Sequence, residues 1–574
     1  MTFYKNRFFC LCLFLFLAVP LGAQVAYVRS STNTNHWVDG GTVSGTTTGT
    51  PTFTVDTATK YQTIQGFGGC FSEMAWDAVS ALSVAGRDSV IRAIFDTSGL
   101  NYTFCRMPIG SNDFADSYYS LNDVANDTAM TNFSLHRDST KLIPFIRAGQ
   151  AYNPNLRFWA SPWTPPSWMK KNNNYYTNTT AAENHIKTDA TTLRAYALYL
   201  SKAIQEFKKA GINIEYITCQ NEPDQDNHNY PTCGWTYAEE QTFYQTYMIP
   251  RFTQDNVSTK ILLGVYCCTS YADGVTSFMN NATIKAKVGV ISHSWQADGP
   301  TFGSQAWTQY PGVPYFETEA DWGQNAAHDW NEGVNQFNSM INFLTTGKAV
   351  VFEQWGIILD QNYSTHWAFA QSGPINVNTN TKVVTYEPHY WAIKHIEHYV
   401  KPGAMAINLT VSGSNPGKMA AFKNPNGDII VVSSNTGSSA YAATVKVGNM
   451  MWKASFPANS FNTMQIVSGT AVRLESRMSG VPSLNQAHLF NSTLSFKAPA
   501  SMKAQEIQVT LTDLKGRYVW SGQRDGAEIT GEAQSFKVRT AQGTIRPGNY
   551  LVTVKIKNAD GSVATFDDKV AAVN

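Results

Sequence analysis

Through the middle of the chain, short apolar runs alternate with longer stretches whose apolar residues recur at helical spacing. The runs are residues 65–70, 102–107, 156–160, 214–219, 260–265, 288–291, 313–316 and 349–352, each closed by polar or special residues. A brief apolar run reads as a buried strand, and apolar positions at i, i+3, i+4 and i+7 read as a helix facing a core. Residues 191–209 show the helical pattern, with Gly211 as its stop. Eight such alternations predict an α/β fold, a (β/α)8 TIM barrel over residues 65–400. Right-handed crossovers would put each helix outside a parallel, closed sheet.

Beyond Pro402 the helical pattern stops. Residues 401–478 alternate apolar and polar positions, with Asn426-Gly427-Asp428 as a turn before Ile429-Ile430-Val431-Val432, and predict a β-sandwich. Residues 24–64 are dense in Thr, Ser, Gly and Asn, and Thr52-Phe53-Thr54-Val55 reads as an edge strand. Gly480 and Pro482 mark a linker, and residues 485–574 read as a further β-rich module of sandwich type. At the start, Lys5 and Arg7 precede an apolar stretch over 8–19, Pro20 breaks it, and Leu21-Gly22-Ala23 offers a cleavage site. Residues 1–23 are therefore expected to be a secretory signal peptide and the mature protein to be secreted or cell-surface. No later run approaches the roughly 20 apolar residues of a membrane span.

Charge narrows the partners. Among 574 residues, 43 basic and 42 acidic side chains leave a net +1, which provides no footprint for nucleic acid or anionic lipid. Aromatic residues reach 13%, which suits either a sugar-binding surface or a ring-rich core. Cys10 and Cys12 leave with the signal, so Cys70, Cys105, Cys219, Cys233, Cys267 and Cys268 remain, and their pairing is open. With no CxxC pair, no HExxH and scattered histidines, neither a metal nor a cofactor is expected.

Barrel enzymes carry their chemistry where strands end. The fourth run leads into Gln220-Asn221-Glu222-Pro223 and the seventh into Glu317-Thr318-Glu319-Ala320. Two carboxyl groups facing each other across a barrel mouth are what glycosidic cleavage needs. One gives a proton to the leaving oxygen and the other, ionised, attacks or stabilises the anomeric centre; about 5–5.5 Å between them is the retaining spacing. A solvated rim charge is the alternative for any strand-end glutamate. Simple strand alternation would turn Glu317 and Glu319 the same way. Trp163 and Trp168 lie in a loop that Pro162 and Pro165-Pro166 force open, and could stack on sugar or fill a core. Gly66, Gly68 and Gly69 are no phosphate loop, because Phe71 stands where a third glycine would be needed; tight packing at the first strand explains them better.

Several of these stretches together resemble glycoside hydrolase family 30, which includes glucosylceramidases and β-1,6-glucanases. They are Gln65-Gly66-Phe67-Gly68-Gly69, Arg106-Met107-Pro108-Ile109-Gly110 with Asp113-Phe114, Ala160-Ser161-Pro162-Trp163, Asn221-Glu222-Pro223 and Phe316-Glu317-Thr318-Glu319-Ala320. The resemblance implies Glu222 as acid/base and Glu319 as nucleophile, favoured over Glu317 by the family's x-Glu-Ala ending. It implies Asn221 as a contact to the sugar 2-hydroxyl and Arg106 as the cation that keeps the nucleophile ionised. Asp113, Trp163 and Trp355 match residues lining the sugar pocket. His293 and Trp295 match a rim His-aromatic element, shifted here by one residue. The segment before the barrel is implied to complete the companion sandwich.

The expected function is thus a retaining β-glycosidase acting on β-glucosyl linkages, in β-1,6-glucan or in glucosylceramide-like substrates. The resemblance implies that the loop carrying Asp113 favours a hexose pocket, since the family's xylanase branch lacks this longer segment; a β-xylan or β-galactan hydrolase is the alternative within the class. A non-catalytic carbohydrate-binding or adhesion protein is the alternative of another class, and the presence of both glutamates weighs against it. The last module, through residues 509–517 and 547–554, resembles a type IX secretion sorting domain. That implies an outer-membrane secretion machinery as a partner.

Overall fold

The computed structural model describes residues 25–267, 271–293, 298–320, 327–367, 370–414 and 416–467, and beyond these the strands of a last module between 485 and 573. The expected signal segment, the linker around Gly480 and Pro482, Cys268 and Trp295 lie outside the described residues. The chain divides into two compact units after Thr470.

Eight parallel strands close the barrel: Gly66–Cys70, Phe104–Pro108, Arg157–Ser161, Ile214–Ile217, Lys260–Leu263, Val288–His293, Tyr315–Ala320 and Val351–Gly356. Each coincides with one of the eight apolar runs. The last strand returns to the first, Val351 opposite Gly66 and Gln354 opposite Gly69. At Gly68 a β-carbon would stand 1.6 Å from the Phe104 carbonyl oxygen, so only glycine lets the first two strands approach. Inside the barrel's lower half Phe104, Trp159, Leu262, Val290, Phe316 and Val351 make a closed apolar plug. The Phe104 and Phe316 rings meet edge to face at 5.3 Å. With that plug beneath them, polar side chains further up the strands have only the rim to face.

The sandwich is one nine-stranded ladder that bends back on itself. Its order is Met450–Phe456, Tyr441–Val447, Phe53–Thr63, Met405–Val411, Met419–Lys423, Ile429–Asn435, Ser460–Ile466, Val25–Thr32 and Val38–Ser44. Thr46 bridges Met451 across the two ends. Phe53, Val55, Val431, Val445, Trp452 and Met464 pack inside it. The expectation of an edge strand at residues 52–55 is corrected. Phe53 pairs with Val411 on one side and Val445 on the other, in mid-sheet. The alternating threonines that made it look peripheral are the outward half of a strand whose inward half is Phe53 and Val55. The sheet grips the barrel's last helix, Pro388–Glu397. The His395 ring lies 2.9 Å from the Thr463 hydroxyl and 3.0 Å from that of Ser31.

The second unit is a seven-stranded sheet in the order Tyr518–Asp525, Ala504–Asp513, Gly548–Asn558, Val563–Val573, Asn485–Phe490, Thr493–Lys497 and Ala533–Lys537. Ile507, Val509, Leu511, Val552 and Val554 are buried in it. Residues 514–517 and 547 of the sorting-domain resemblance lie outside the described residues. Among the described residues, no helix is long and apolar enough to cross a membrane.

Candidate active site

Arg106, on the second strand and wholly buried, organises the rim. Its Nη1 donates to Glu319 Oε2 at 2.5 Å and its Nη2 to Asn221 Oδ1 at 2.5 Å, while Nε donates to the Ser161 hydroxyl at 3.0 Å. One planar guanidinium therefore ties the seventh strand to the residue just before Glu222. A guanidinium cannot accept, so the Asn221 amide must turn its oxygen to Arg106, which leaves its NH2 for another acceptor. The faces of the guanidinium lie over aromatic rings, with Trp163 at 4.3 Å, Trp159 at 4.7 Å and Trp355 at 5.4 Å.

Glu319 is 5% exposed. Burial raises its carboxyl above the ordinary range, and the adjacent Arg106 cation pulls it back down. A second buried carboxyl, Glu353 on the eighth strand, accepts the Trp159 indole N–H at 2.6 Å. Burial pushes Glu353 well up, and its hydrogen bond goes to the indole and not to Arg106. Glu319 is thus the carboxylate that the guanidinium serves.

Glu317 and Glu319 do not turn the same way. The seventh strand carries a bulge: Glu317 pairs with Phe352, yet Ala320 pairs with Gln354, so three steps on one strand match two on the other. Phe316 faces the barrel plug, and Glu317 shares the face of Phe352, whose ring packs 5.7 Å from Phe343 of the outer helix Trp330–Thr345. After the bulge Glu319 faces inward. The Glu317 carboxylate instead accepts the Glu319 backbone N–H at 3.1 Å, steadying the bulge.

Glu222, 8% exposed, sits where the backbone is bent into the left-handed region, φ 42°. Its N–H donates at 2.9 Å to the carbonyl of Val265, itself at φ 68° after the fifth strand. Two side-chain-bearing residues in this sparsely allowed region, facing each other, mark a site whose surroundings hold a costly conformation. Those surroundings are explicit. Thr218 still reaches the Ala160 carbonyl of the third strand at 3.3 Å, and at Cys219 phenols take over. The Cys219 N–H donates to the Tyr244 hydroxyl at 3.1 Å, and the Tyr196 hydroxyl donates to the Cys219 carbonyl at 2.7 Å. The Asn221 N–H reaches the Pro162 carbonyl at 2.7 Å. Tyr244 lies in a π-helical insertion, Phe243–Met248, a local distortion often found at functional sites.

Cys70, Phe114, Trp163, Trp355 and Leu359 pack as a buried apolar cluster beside Arg106. Trp163 and Trp355 stack at 5.1 Å, and neither indole N–H, though buried, has a protein acceptor. Burial first, then the charges of Glu222, Asp113, Cys267 and Glu319, push the Tyr230 phenol far up. Asp113, on the loop after the second strand, is 7% exposed. His293 ends the sixth strand, its carbonyl accepting from the Thr318 hydroxyl at 3.1 Å and its ring 3.6 Å from Asp298.

Residues 64–400 match the glycosyl hydrolase family 30 TIM-barrel domain, and residues 403–464 the family 30 beta sandwich domain. The chain belongs to glycosyl hydrolase family 30. This family 30 chain is 26% identical to the lysosomal acid glucosylceramidase of Mus musculus over 431 residues, 71% of this chain and 81% of the mouse protein. It is 25% identical to the endo-1,6-beta-D-glucanase neg1 of Aspergillus fumigatus over 426 residues, 71% of this chain and 86% of that one. In fold it is similar to SrfJ from Salmonella typhimurium, with a TM-score of 0.71 at 22% identity over 77% of this chain and 100% of that chain.

The structure brings Arg106, Asn221, Glu319, Trp163 and Trp355 of this hydrolase into contact, with Glu222 next in the chain to Asn221 and with Asp113 and His293 following or ending neighbouring barrel strands. Trp159, Tyr196, Tyr230, Tyr244 and Glu353 were missed by sequence reasoning. Trp159 had one available signal, its place two residues before Ser161 on the same face of a strand. The others answer to no local pattern. Among the described residues, no cluster of His, Cys, Asp and Glu could hold a metal ion. Cys70, Cys105, Cys219 and Cys233 are free thiols, and they and Cys267 are buried.

Proposed function

We propose that this family 30 hydrolase is an exported, retaining β-glycosidase that cleaves β-glucosyl linkages by double displacement. The observation that carries the reading is Arg106, which pairs with Glu319 beside the stacked Trp163 and Trp355 and binds Asn221, the residue just before Glu222. In the first step the Glu319 carboxylate attacks the anomeric carbon, the bond to the leaving oxygen breaks, and Glu222 gives that oxygen its proton. In the second, Glu222 takes a proton from water as the water's oxygen displaces Glu319 from the same carbon. Each step inverts the centre, so the configuration is retained overall.

The free N–H groups of Trp163 and Trp355 and the NH2 of Asn221 are donors for sugar hydroxyls, and the flat faces of the rings suit pyranose C–H surfaces. The relatives named as a glucosylceramidase and an endo-1,6-glucanase both act at glucose, and the loop carrying Asp113 favours a hexose. For an exported protein, β-1,6-glucan is the better candidate than a glucosyl lipid. Export itself rests on residues 1–23, and the sorting role of the last module on its sequence resemblance.

A panel of β-1,6-, β-1,3- and β-1,4-linked gluco-oligosaccharides, β-xylo- and β-galacto-oligosaccharides and glucosylceramide, followed by NMR of the newly formed anomer, tests this. The expected result is cleavage of β-glucosides with the β-anomer formed first. First appearance of the α-anomer would overturn double displacement, and exclusive cleavage of xylan or galactan would overturn the sugar assignment.

A further inference from the structure

Four rim loops each carry one residue of the site described above and another group of a second cluster of aromatic rings. The loop after the second strand places Phe114 against Trp355 and runs on to Tyr118. The loop after the third carries Trp163 and then Tyr175 and Tyr176. The loop after the fourth carries Tyr230 and, one residue earlier, Asn229. The loop after the eighth strand carries Leu359 and then Trp367. These distal groups meet. The Tyr118 ring stacks on that of Tyr176 at 5.0 Å and 19°, is parallel to that of Tyr175 at 6.0 Å, and lies 5.1 Å from Trp367.

The cluster is pinned from below. The Tyr118 hydroxyl donates to the Asn229 carbonyl, the Asn229 amide donates to the Trp367 carbonyl at 3.2 Å, and the Tyr175 hydroxyl donates to the Asp123 carboxylate. Tyr118, Tyr175 and Tyr176 remain partly exposed. Around them stand an acid and an imidazole, Asp116 and the exposed His366, 4.0 Å apart. Rings with polar edges set among acids and amides suit a sugar, whose faces are apolar and whose rim is hydroxyl. A lipid tail would want an aliphatic trough.

Resting on the glycosidase reading above, we propose that Tyr118 and Tyr176, backed by the buried Trp367, form a stacking platform for a sugar residue on the leaving-group side of the scissile bond. The platform is anchored on Asn229, in the same loop that follows Glu222, the group placed to protonate the leaving oxygen. The preferred substrate is then a β-linked oligo- or polysaccharide, with a saccharide as leaving group, and not a β-glucosyl lipid.

The test compares Tyr176→Ala and Tyr176→Phe with wild type on a β-1,6-linked glucotetraose and on β-glucosyl fluoride, which has no leaving sugar. Tyr176→Ala is expected to lower kcat/KM on the tetraose about tenfold more than on the fluoride, through KM, with Tyr176→Phe near wild type. Equal losses on both substrates, or no loss on either, would overturn the platform. So would glucosylceramide in detergent micelles being turned over faster than the tetraose. Calorimetric binding of the tetraose to Glu319→Gln protein, with and without Tyr176→Ala, reads the platform apart from turnover. A wild type that hydrolyses neither substrate defeats the glycosidase reading, and the platform then stands or falls on whether Tyr176→Ala weakens that binding.

Discussion

Arg106 and Glu319 meet at 2.5 Å beneath the rim, with no water-exposed surface on the guanidinium. The pair sets an electrostatic contest. Burial drives the carboxyl toward its neutral form, and the cation opposes it. A nucleophile must be ionised, so the outcome of that contest defines the acidic side of the pH profile.

Replacing Arg106 by Met removes the opposing positive charge. The Glu319 carboxyl then titrates higher still, and the acidic limb of kcat/KM moves to higher pH, while Arg106→Lys moves it less. Initial rates on an aryl β-glucoside across the pH range check this. An unmoved limb in Arg106→Met would mean that another group titrates there.

The bulge gives neighbouring glutamates unequal roles. Glu319→Gln is expected to abolish turnover while leaving the folded state intact. Glu317→Gln alters the group that accepts the Glu319 backbone N–H, and is expected to keep most activity and lose stability instead. Kinetics and thermal unfolding of the two variants side by side settle the assignment. If Glu317→Gln were the silent enzyme, the roles would be reversed.

Tyr244 stands behind Glu222, not in contact with substrate. Tyr244→Phe strands the Cys219 N–H and is expected to cost about 1–3 kcal/mol of stability, the usual penalty for a buried donor left without an acceptor. Because it acts through Glu222, it should slow substrates with poor leaving groups more than activated aryl glucosides. Glu222→Ala should show the same split more strongly, with losses of about 10²–10⁴ on the poor leaving groups.

Asp138 provides a pH effect on stability. It is wholly buried and accepts the Tyr119 hydroxyl at 2.7 Å, and burial raises its carboxyl to about 7. The folded protein therefore holds a proton there that the unfolded chain has released above the ordinary carboxylate range. Stability from this group is full below that range and falls as pH rises toward about 7. Asp138→Asn should flatten that decline in urea unfolding midpoints measured between pH 4 and 8.

The division between local and long-range information explains what could be read early. The eight strands were legible because a buried strand must be apolar along its own length, whatever it later pairs with. Gly68 was legible as a packing glycine, although not the 1.6 Å approach to Phe104 that makes it obligatory. Glu222 was legible because it follows a strand directly, so position along the chain already placed it on the rim.

The inward turn of Glu319 was not, since it depends on how the seventh strand registers against Gln354 of the eighth. The supports of Glu222 were not either. Tyr196 and Tyr244 act on Cys219 from 23 and 25 residues away, through hydrogen bonds that exist only once helix and barrel have packed. Residue type and spacing along this chain chose the barrel and nominated its carboxylates. Register and packing, which join residues far apart in sequence, chose which carboxylate meets Arg106.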